Sequence, residues 1–341
     1  MKKSLMTLGV LALFVLMAYG QEKKFALYSV AFYNMENLFD TIHDEGKNDY
    51  EYLPNSTNQW NTMKYKAKLK NMSEILSMLS TDKLPMGPAI IGVSEIENYR
   101  VLEDILKQPA LADRGYQYVH YEGEDQRGVD CAFFYNPKLF ELTNSKLVPY
   151  VYINDTVHKT RGFLIASGNI AGEKMHFIVN HWPSRAAASP ARERAGEQVR
   201  AIKDSLLRED SAAKIVIMGD MNDDPMDKSM AVALGAKRKP ADVGPTDLYN
   251  PWWDTLKKGY GTLMYKGKWN LFDQIVFTGN LLGTDRSTLK FYKHEIFRRD
   301  FMFQKEGKYK GYPKRTQAGG VWLNGYSDHL PTIIYLIKEV K

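Results

Sequence analysis

Cysteine is almost missing from this sequence. Cys131 stands alone in 341 residues, so no disulfide can form within the chain and stability must come from an apolar core. Histidine is sparse as well, with 7 in all, and the want of histidine and cysteine clusters argues against a structural zinc site. After the first 20 residues no run is long and apolar enough to cross a bilayer. Internal repeats and linkers rich in Pro, Gly or Ser are also wanting, which speaks against solenoids and strings of small domains. Neither sign of charge dominates: without Lys2 and Lys3 the chain holds 44 basic against 40 acidic residues, a weak pointer to polyanionic partners.

Residues 1–20 depart from the rest. Lys2 and Lys3 precede an apolar stretch from Leu5 to Met17, and Ala18-Tyr19-Gly20 places small residues where a signal peptidase reads. This segment reads as a cleaved export signal, with Gln21 as the first mature residue and a periplasmic or extracellular destination. The stretch is short for a membrane anchor, and no cysteine follows it to carry a lipid. The remainder, 21–341, reads as one domain. Its composition, 44% apolar and 25% charged, is that of a globular protein with a large core.

Strand-like runs recur at 25–33, 89–93, 116–121, 129–135, 163–170, 175–180, 215–218, 271–278 and 332–337. Helical periodicity appears over 63–79, where Tyr65, Leu69, Met72, Leu76 and Leu79 form one stripe, and over 190–207, which opens on Pro190 and repeats Ala195, Val199, Ile202 and Leu206. A third helix is expected over 99–108. Helices interspersed among many strands, several of them joined by short turns, predict an α/β fold of two packed sheets faced by helices.

Groups able to bind metal or move protons gather at the ends of the apolar runs. Asn34 and Glu36 follow the first, Glu95 the second, His181 the sixth, Asp220 and Asn222 the seventh. Asp328 and His329 stand just before the last. Each alone has an ordinary explanation, since Asn and Asp form turns and acids favour helix N-termini. Together they suggest loops converging over one edge of a rigid core. Glu95, Asp220, Asn222 and Asp328 offer hard oxygen ligands suited to Mg2+ or Mn2+. His181 and His329 are candidates for proton transfer near neutral pH.

The ordered set of motifs resembles the endonuclease/exonuclease/phosphatase superfamily, from Phe25 to Ile337. "FYNMENLF", "GVSEIEN", "RGVDCAFFYNP", "VNHWPS", "IMGDMNDDP", "LFDQIVF" and "GYSDHLP" follow its order. The resemblance implies a four-layered sandwich of two packed, mixed but largely antiparallel sheets flanked by helices, with a divalent cation, Mg2+ or Mn2+, at one end. Carried over position by position, Glu95 would bind the metal with Glu36 or Asn34 beside it and Asp328 completing the site. Asp220 and Asn222 would orient water and phosphate. His329, held by Asp273, and His181, supported by Asp130, would flank the scissile bond, with the direction of proton transfer left open.

The resemblance also implies a phosphodiester substrate. The Asp130/His181 pair is closer to nucleases of the pancreatic type and to sphingomyelinases than to abasic-site enzymes, and an export signal fits an exported nuclease acting on external DNA or RNA. Between Asp285 and Arg315, ten Lys or Arg stand against four Asp or Glu, interleaved with aromatics able to stack bases; an insertion anchored by those aromatics is the structural alternative. Arg127, Arg161 and Arg185 are further candidates for phosphate contacts. Trp252-Trp253 leaves membrane lipid open as a lesser substrate, and a catalytically silent binding module on the same fold is the alternative from another class. That module predicts a gap in the metal or histidine set, which the sequence does not show. Nothing in the sequence fixes the oligomeric state.

Overall fold

The computed structural model describes residues 23–340; the expected export signal lies outside the described residues. The strands are β1 (Lys24–Leu38), β2 (Ile90–Ile96), β3 (Gln117–His120), β4 (Asp130–Tyr135), β5 (Phe140–Val148), β6 (Phe163–Ile170), β7 (Glu173–His181) and β8 (Lys214–Asp220). They continue with β9 (Ala236–Lys237), β10 (Leu248–Tyr249), β11 (Leu263–Tyr265), β12 (Lys268–Asn270), β13 (Asp273–Thr278), β14 (Lys290–Ile296), β15 (Gln317–Ala318), β16 (Val321–Trp322) and β17 (Thr332–Val340). The α-helices are α1 (Thr62–Met78), α2 (Tyr99–Leu106), α3 (Ser189–Glu209) and the short α4 (Trp253–Lys257).

Two mixed sheets form the centre. One has six strands in the order β14-β17-β1-β2-β4-β3 and the other seven in the order β5-β6-β7-β8-β13-β10-β9. Each is antiparallel except for a central parallel pair, β1/β2 in the first and β7/β8 in the second, with β9/β10 at the rim. A parallel pair needs a crossover, and α1 and α3 supply it. The resulting βαβ units are mirrored in the two sheets.

Alternation along each strand builds three apolar layers. Val30 and Phe32 of β1 face Phe177, Val179, Val216 and Met218 of the other sheet between the layers. Ala31 and Tyr33 face outward to Leu69, Met72 and Leu76 of α1. On the opposite face Ile215 and Ile217 of β8 meet Ala195 and Val199 of α3. Helix, sheet, sheet and helix stack as the expected four layers. Asn61 caps α1 by accepting from Lys64 N at 3.1 Å, and Pro190 sits in the first turn of α3, where a missing N–H costs nothing.

The topology decides where chemistry can occur. Both parallel pairs run their C-terminal ends to one edge, the place where open α/β sheets bind ligands. Their antiparallel neighbours β4, β13 and β17 begin at that same edge. Among the described residues no helix is long and apolar enough to cross a membrane.

Candidate active site

β1 and β2 end irregularly. The pairing shifts between Asn34 and Leu38 and between Ser94 and Ile96, and such bulges re-aim side chains. Glu36, Asn37 and Glu95 there, and Asn222 after β8, all adopt positive φ, a strained state for non-glycine residues that clusters at functional sites.

Those irregular ends bring Glu95 of one sheet against Asp220 of the other. Asn34 spans the seam, its Nδ2 donating to Glu95 Oε1 at 3.2 Å and to Asp220 Oδ2 at 3.0 Å. His181 Nε2 lies 3.8 Å from both carboxylates. Glu95, His181 and Asp220 therefore present three donor atoms within 4.8 Å of one another, and Asp220, Asp273 and His329 form a second such triad. No Lys or Arg stands within ion-pair reach of Glu95 or Asp220 among the described residues, so the two carboxylates are met by the Asn34 amide, the backbone N–H groups of Asn37 and Asn222, and two imidazoles, with no full cation between them. Oxygen-rich, uncompensated and preorganised, this donor set fits a divalent cation.

Electrostatics follow the same geometry. Burial raises the Asp220 carboxyl to about 7, with Asp273 and Glu95 pushing the same way against His329. His329 Nδ1 and Asp273 Oδ2 are 2.7 Å apart. Burial opposes charge on the His329 ring, yet Asp273, Asp220 and Asp328 outweigh it and hold the imidazole well above its ordinary value. Burial, reinforced by Arg161, Arg127 and His329, holds His181 well below it. The two imidazoles that face Asp220 Oδ2, each at 3.8 Å, are thus pushed in opposite directions by their surroundings.

Local hydrogen bonds fix these groups. Ser327 Oγ donates to Asn34 O at 2.8 Å and accepts from His329 N at 3.0 Å, tying the end of β1 to the start of β17. Asn222 N donates to Asp220 Oδ1 at 2.9 Å, and Asn222 Nδ2 to Trp182 O at 3.1 Å. The amide of Asn222 thereby braces the turn after β8 against the residue that follows His181.

Several expectations need correction. Glu36 does not join Glu95: its carboxylate accepts from Arg315 Nε and Thr316 N, each at 2.7 Å, and lies 3.8 Å from Lys68 Nζ. Its charge is already neutralised. Asp328 pairs with Arg315 Nη2 at 3.0 Å through Oδ2, while its Oδ1 lies 3.9 Å from His329 Nε2, so it joins that cluster to the rim of the site. Asp130 does not support His181, whose Nδ1 has no hydrogen-bond partner among the described residues; it faces His120 Nε2 at 3.3 Å and accepts from Gly123 N at 3.1 Å. The start of β4 turns it toward β3. Arg161 is no free phosphate contact, being buried between Asp125 Oδ2 at 2.9 Å and Trp182 O at 2.8 Å. Trp182 and Trp252 are buried, so Trp252 offers nothing to a membrane.

The sequence reading missed His120, Lys68 and the Asp125–Arg161 brace. Of these only Arg161 was named, as a phosphate contact, and its partner Asp125 comes from a distant loop.

Beside the site opens a cleft of about 1080 Å³ whose walls include Tyr52, Tyr309, Tyr312, Arg315 and Asp328. The basic aromatic segment divides between roles: Phe297 is buried in the core, whereas Tyr309, Tyr312 and Arg315 line this cleft.

Residues 29–338 match a family model described as the Endonuclease/Exonuclease/phosphatase family. No curated protein matches the sequence significantly. Among solved structures, the chain is similar to an endonuclease/exonuclease/phosphatase family protein from Bacteroides thetaiotaomicron, at 15% identity and TM-score 0.58, covering 93% of this chain and 97% of that one. A mannosyl-6-phosphatase of the same organism is similar at 14% identity and TM-score 0.56, covering 91% and 99%. TDP2 of D. rerio, complexed with a single strand DNA product, is similar at 14% identity and TM-score 0.52, covering 91% and 99%. At such identities the likeness concerns the fold.

Proposed function

The chain belongs to the endonuclease/exonuclease/phosphatase family, and on that premise we propose that it is an exported, divalent-metal-dependent phosphodiesterase acting on DNA or RNA. The observation that carries the reading is the meeting of Glu95, His181, Asp220 and His329 on one seam between the sheets. The adjoining cleft favours a strand of nucleic acid as substrate, with Tyr309 and Tyr312 as stacking surfaces and Arg315 near the phosphates.

Glu95 and Asp220 would hold the cation, Mg2+ or Mn2+, whose chemistry there is to neutralise charge developing on the phosphate. Asn34 bonds both carboxylates and keeps them in register across the seam. His329, charged and held by Asp273, is suited to donate a proton or hydrogen bond to an oxygen of the phosphate. His181, kept neutral, is suited to accept a proton from the attacking water. Asn222 and Trp182 hold the backbone around both.

A silent binding module calls for loss of a metal carboxylate or a histidine, whereas Glu95, Asp220, His181 and His329 are all present and grouped. The test is hydrolysis of bis-p-nitrophenyl phosphate with Mg2+ or Mn2+, repeated with EDTA and with His329→Ala. Both treatments are expected to abolish turnover; activity indifferent to both would overturn the assignment. Plasmid DNA, RNA and sphingomyelin offered side by side then rank substrates, and preferential release of phosphocholine would replace nucleic acid with lipid.

A further inference from the structure

The cleft beside the seam carries far less positive charge than the sequence around it suggests. Of the ten Lys and Arg between Asp285 and Arg315, only Lys308 and Arg315 line it. Several of the others are held elsewhere. Arg298 lies over the rings of Trp269 and Phe303 at 5.0 and 5.2 Å, Arg299 pairs with Asp82 at 2.6 Å, and Lys293 lies over Tyr335 at 4.9 Å.

The cations that do line the cleft are balanced. Arg315 gives Nε to Glu36 at 2.7 Å and pairs through Nη2 with Asp328 at 3.0 Å, and the buried Lys68 stands 3.8 Å from the far oxygen of Glu36. Lys266 and Lys308 are then matched by Glu51 and Glu306 among the lining residues. Such a balance leaves no field to gather a run of phosphates. What the walls offer instead is rings. Tyr265 and Tyr309 are 62% and 52% exposed. Tyr309 packs on Tyr312 with ring centres 5.4 Å apart, and Tyr312 Oη accepts from Gly267 N at 2.6 Å, which ties its loop to the β11–β12 hairpin that carries Tyr265. Gln304 and Gln317 add side-chain amides.

We propose, on the nucleic-acid reading above, that this cleft takes unpaired bases rather than backbone phosphates, and so makes the protein selective for single strands. A base has an uncharged face that stacks on tyrosine and an edge that an amide can bond, and duplex pairing hides both. The cleft volume of about 1080 Å³ is close to that of a small-molecule pocket, room for a short run of bases.

The test is cleavage in Mg2+ of a labelled single-stranded DNA octamer and of the same octamer annealed to its complement, with unlabelled octamers as competitors, one normal and one built of abasic sugar-phosphates. The duplex is expected to react about ten-fold more slowly or worse, and the abasic strand, with the same phosphates, to compete about ten-fold more weakly. The logarithm of kcat/KM should fall with that of salt at a slope of about −1, where a groove gripping four phosphates would give about −3. Tyr309 is exposed, so its variants keep the fold: Tyr309→Ala should raise KM for the single strand about ten-fold, and Tyr309→Phe, which keeps the ring, should restore it. Equal competition by the abasic strand, or the steeper slope, overturns the proposal. If single strand and duplex are cut alike and EDTA stops both, the nucleic-acid reading stands and this proposal alone falls; if neither is cut while bis-p-nitrophenyl phosphate is hydrolysed, both fall.

Discussion

At the scale of single residues, the site is a set of side chains each held by a named partner. Asp273 is wholly buried and touches His329 Nδ1 at 2.7 Å, so its task is to orient and charge that ring. Asp273→Asn preserves the shape and removes the charge. Turnover is expected to fall by about 10²-fold or more with KM little changed, a loss of the size attributed to proton transfer; steady-state kinetics check it. A remote histidine gives a cleaner pH effect. His176 is buried on β7 with Nδ1 2.7 Å from Ser167 Oγ, and burial, helped by Lys174, lowers its pKa. The ring is neutral in the fold and takes a proton more readily once unfolded. Its contribution to stability is therefore complete above about pH 6.5 and is lost as pH falls from there through the lower folded value. The melting temperature should drop between pH 7 and pH 5, and His176→Gln should flatten part of that drop.

At the scale of elements, the parallel pairs are the working parts. Gly219 lies where β7 and β8 deliver His181 and Asp220, and a Cβ there would stand 2.3 Å from Asn180 O. That neighbour is backbone and cannot swing aside. Gly219→Ala should cost about 1 to 3 kcal/mol and, by prising the two strand ends apart, depress hydrolysis more than its melting temperature alone would explain. Calorimetry paired with kinetics tests this. The same elements show what the sequence could reveal. Inner strands such as β8, buried throughout, appear as apolar runs. β5 and β14, at the sheet edges and only partly buried, carry Glu141, Lys146, Lys290 and Lys293 and gave no signal, because an exposed edge is kept charged. Donors that follow inner strands were legible for that reason. Glu36 and Asp130 were legible as acids, but their partners, Arg315 and His120, come from distant loop and edge-strand positions that periodicity does not register.

At the scale of the whole molecule, a cation at Glu95 and Asp220 would link two sheets that otherwise meet through apolar contact and the hydrogen bonds of Asn34 and His329. Any ligand bound by the folded state alone stabilises it, by about 2.7 kcal/mol at a hundred times its Kd. Mg2+ should therefore raise the melting temperature and EDTA reverse the rise, while Glu95→Gln should show neither. Equal shifts in both proteins would place the bound ion elsewhere.

The bond from Ser327 to Asn34 O joins residues 293 positions apart, and β1 lies between β2 and β17. A copy still being made, or clipped ahead of β17, has neither this closure nor His329. The full set of Glu95, His181, Asp220 and His329 then arrives in one step with the final strand pairing, so an unfinished copy would lack the proposed hydrolysis.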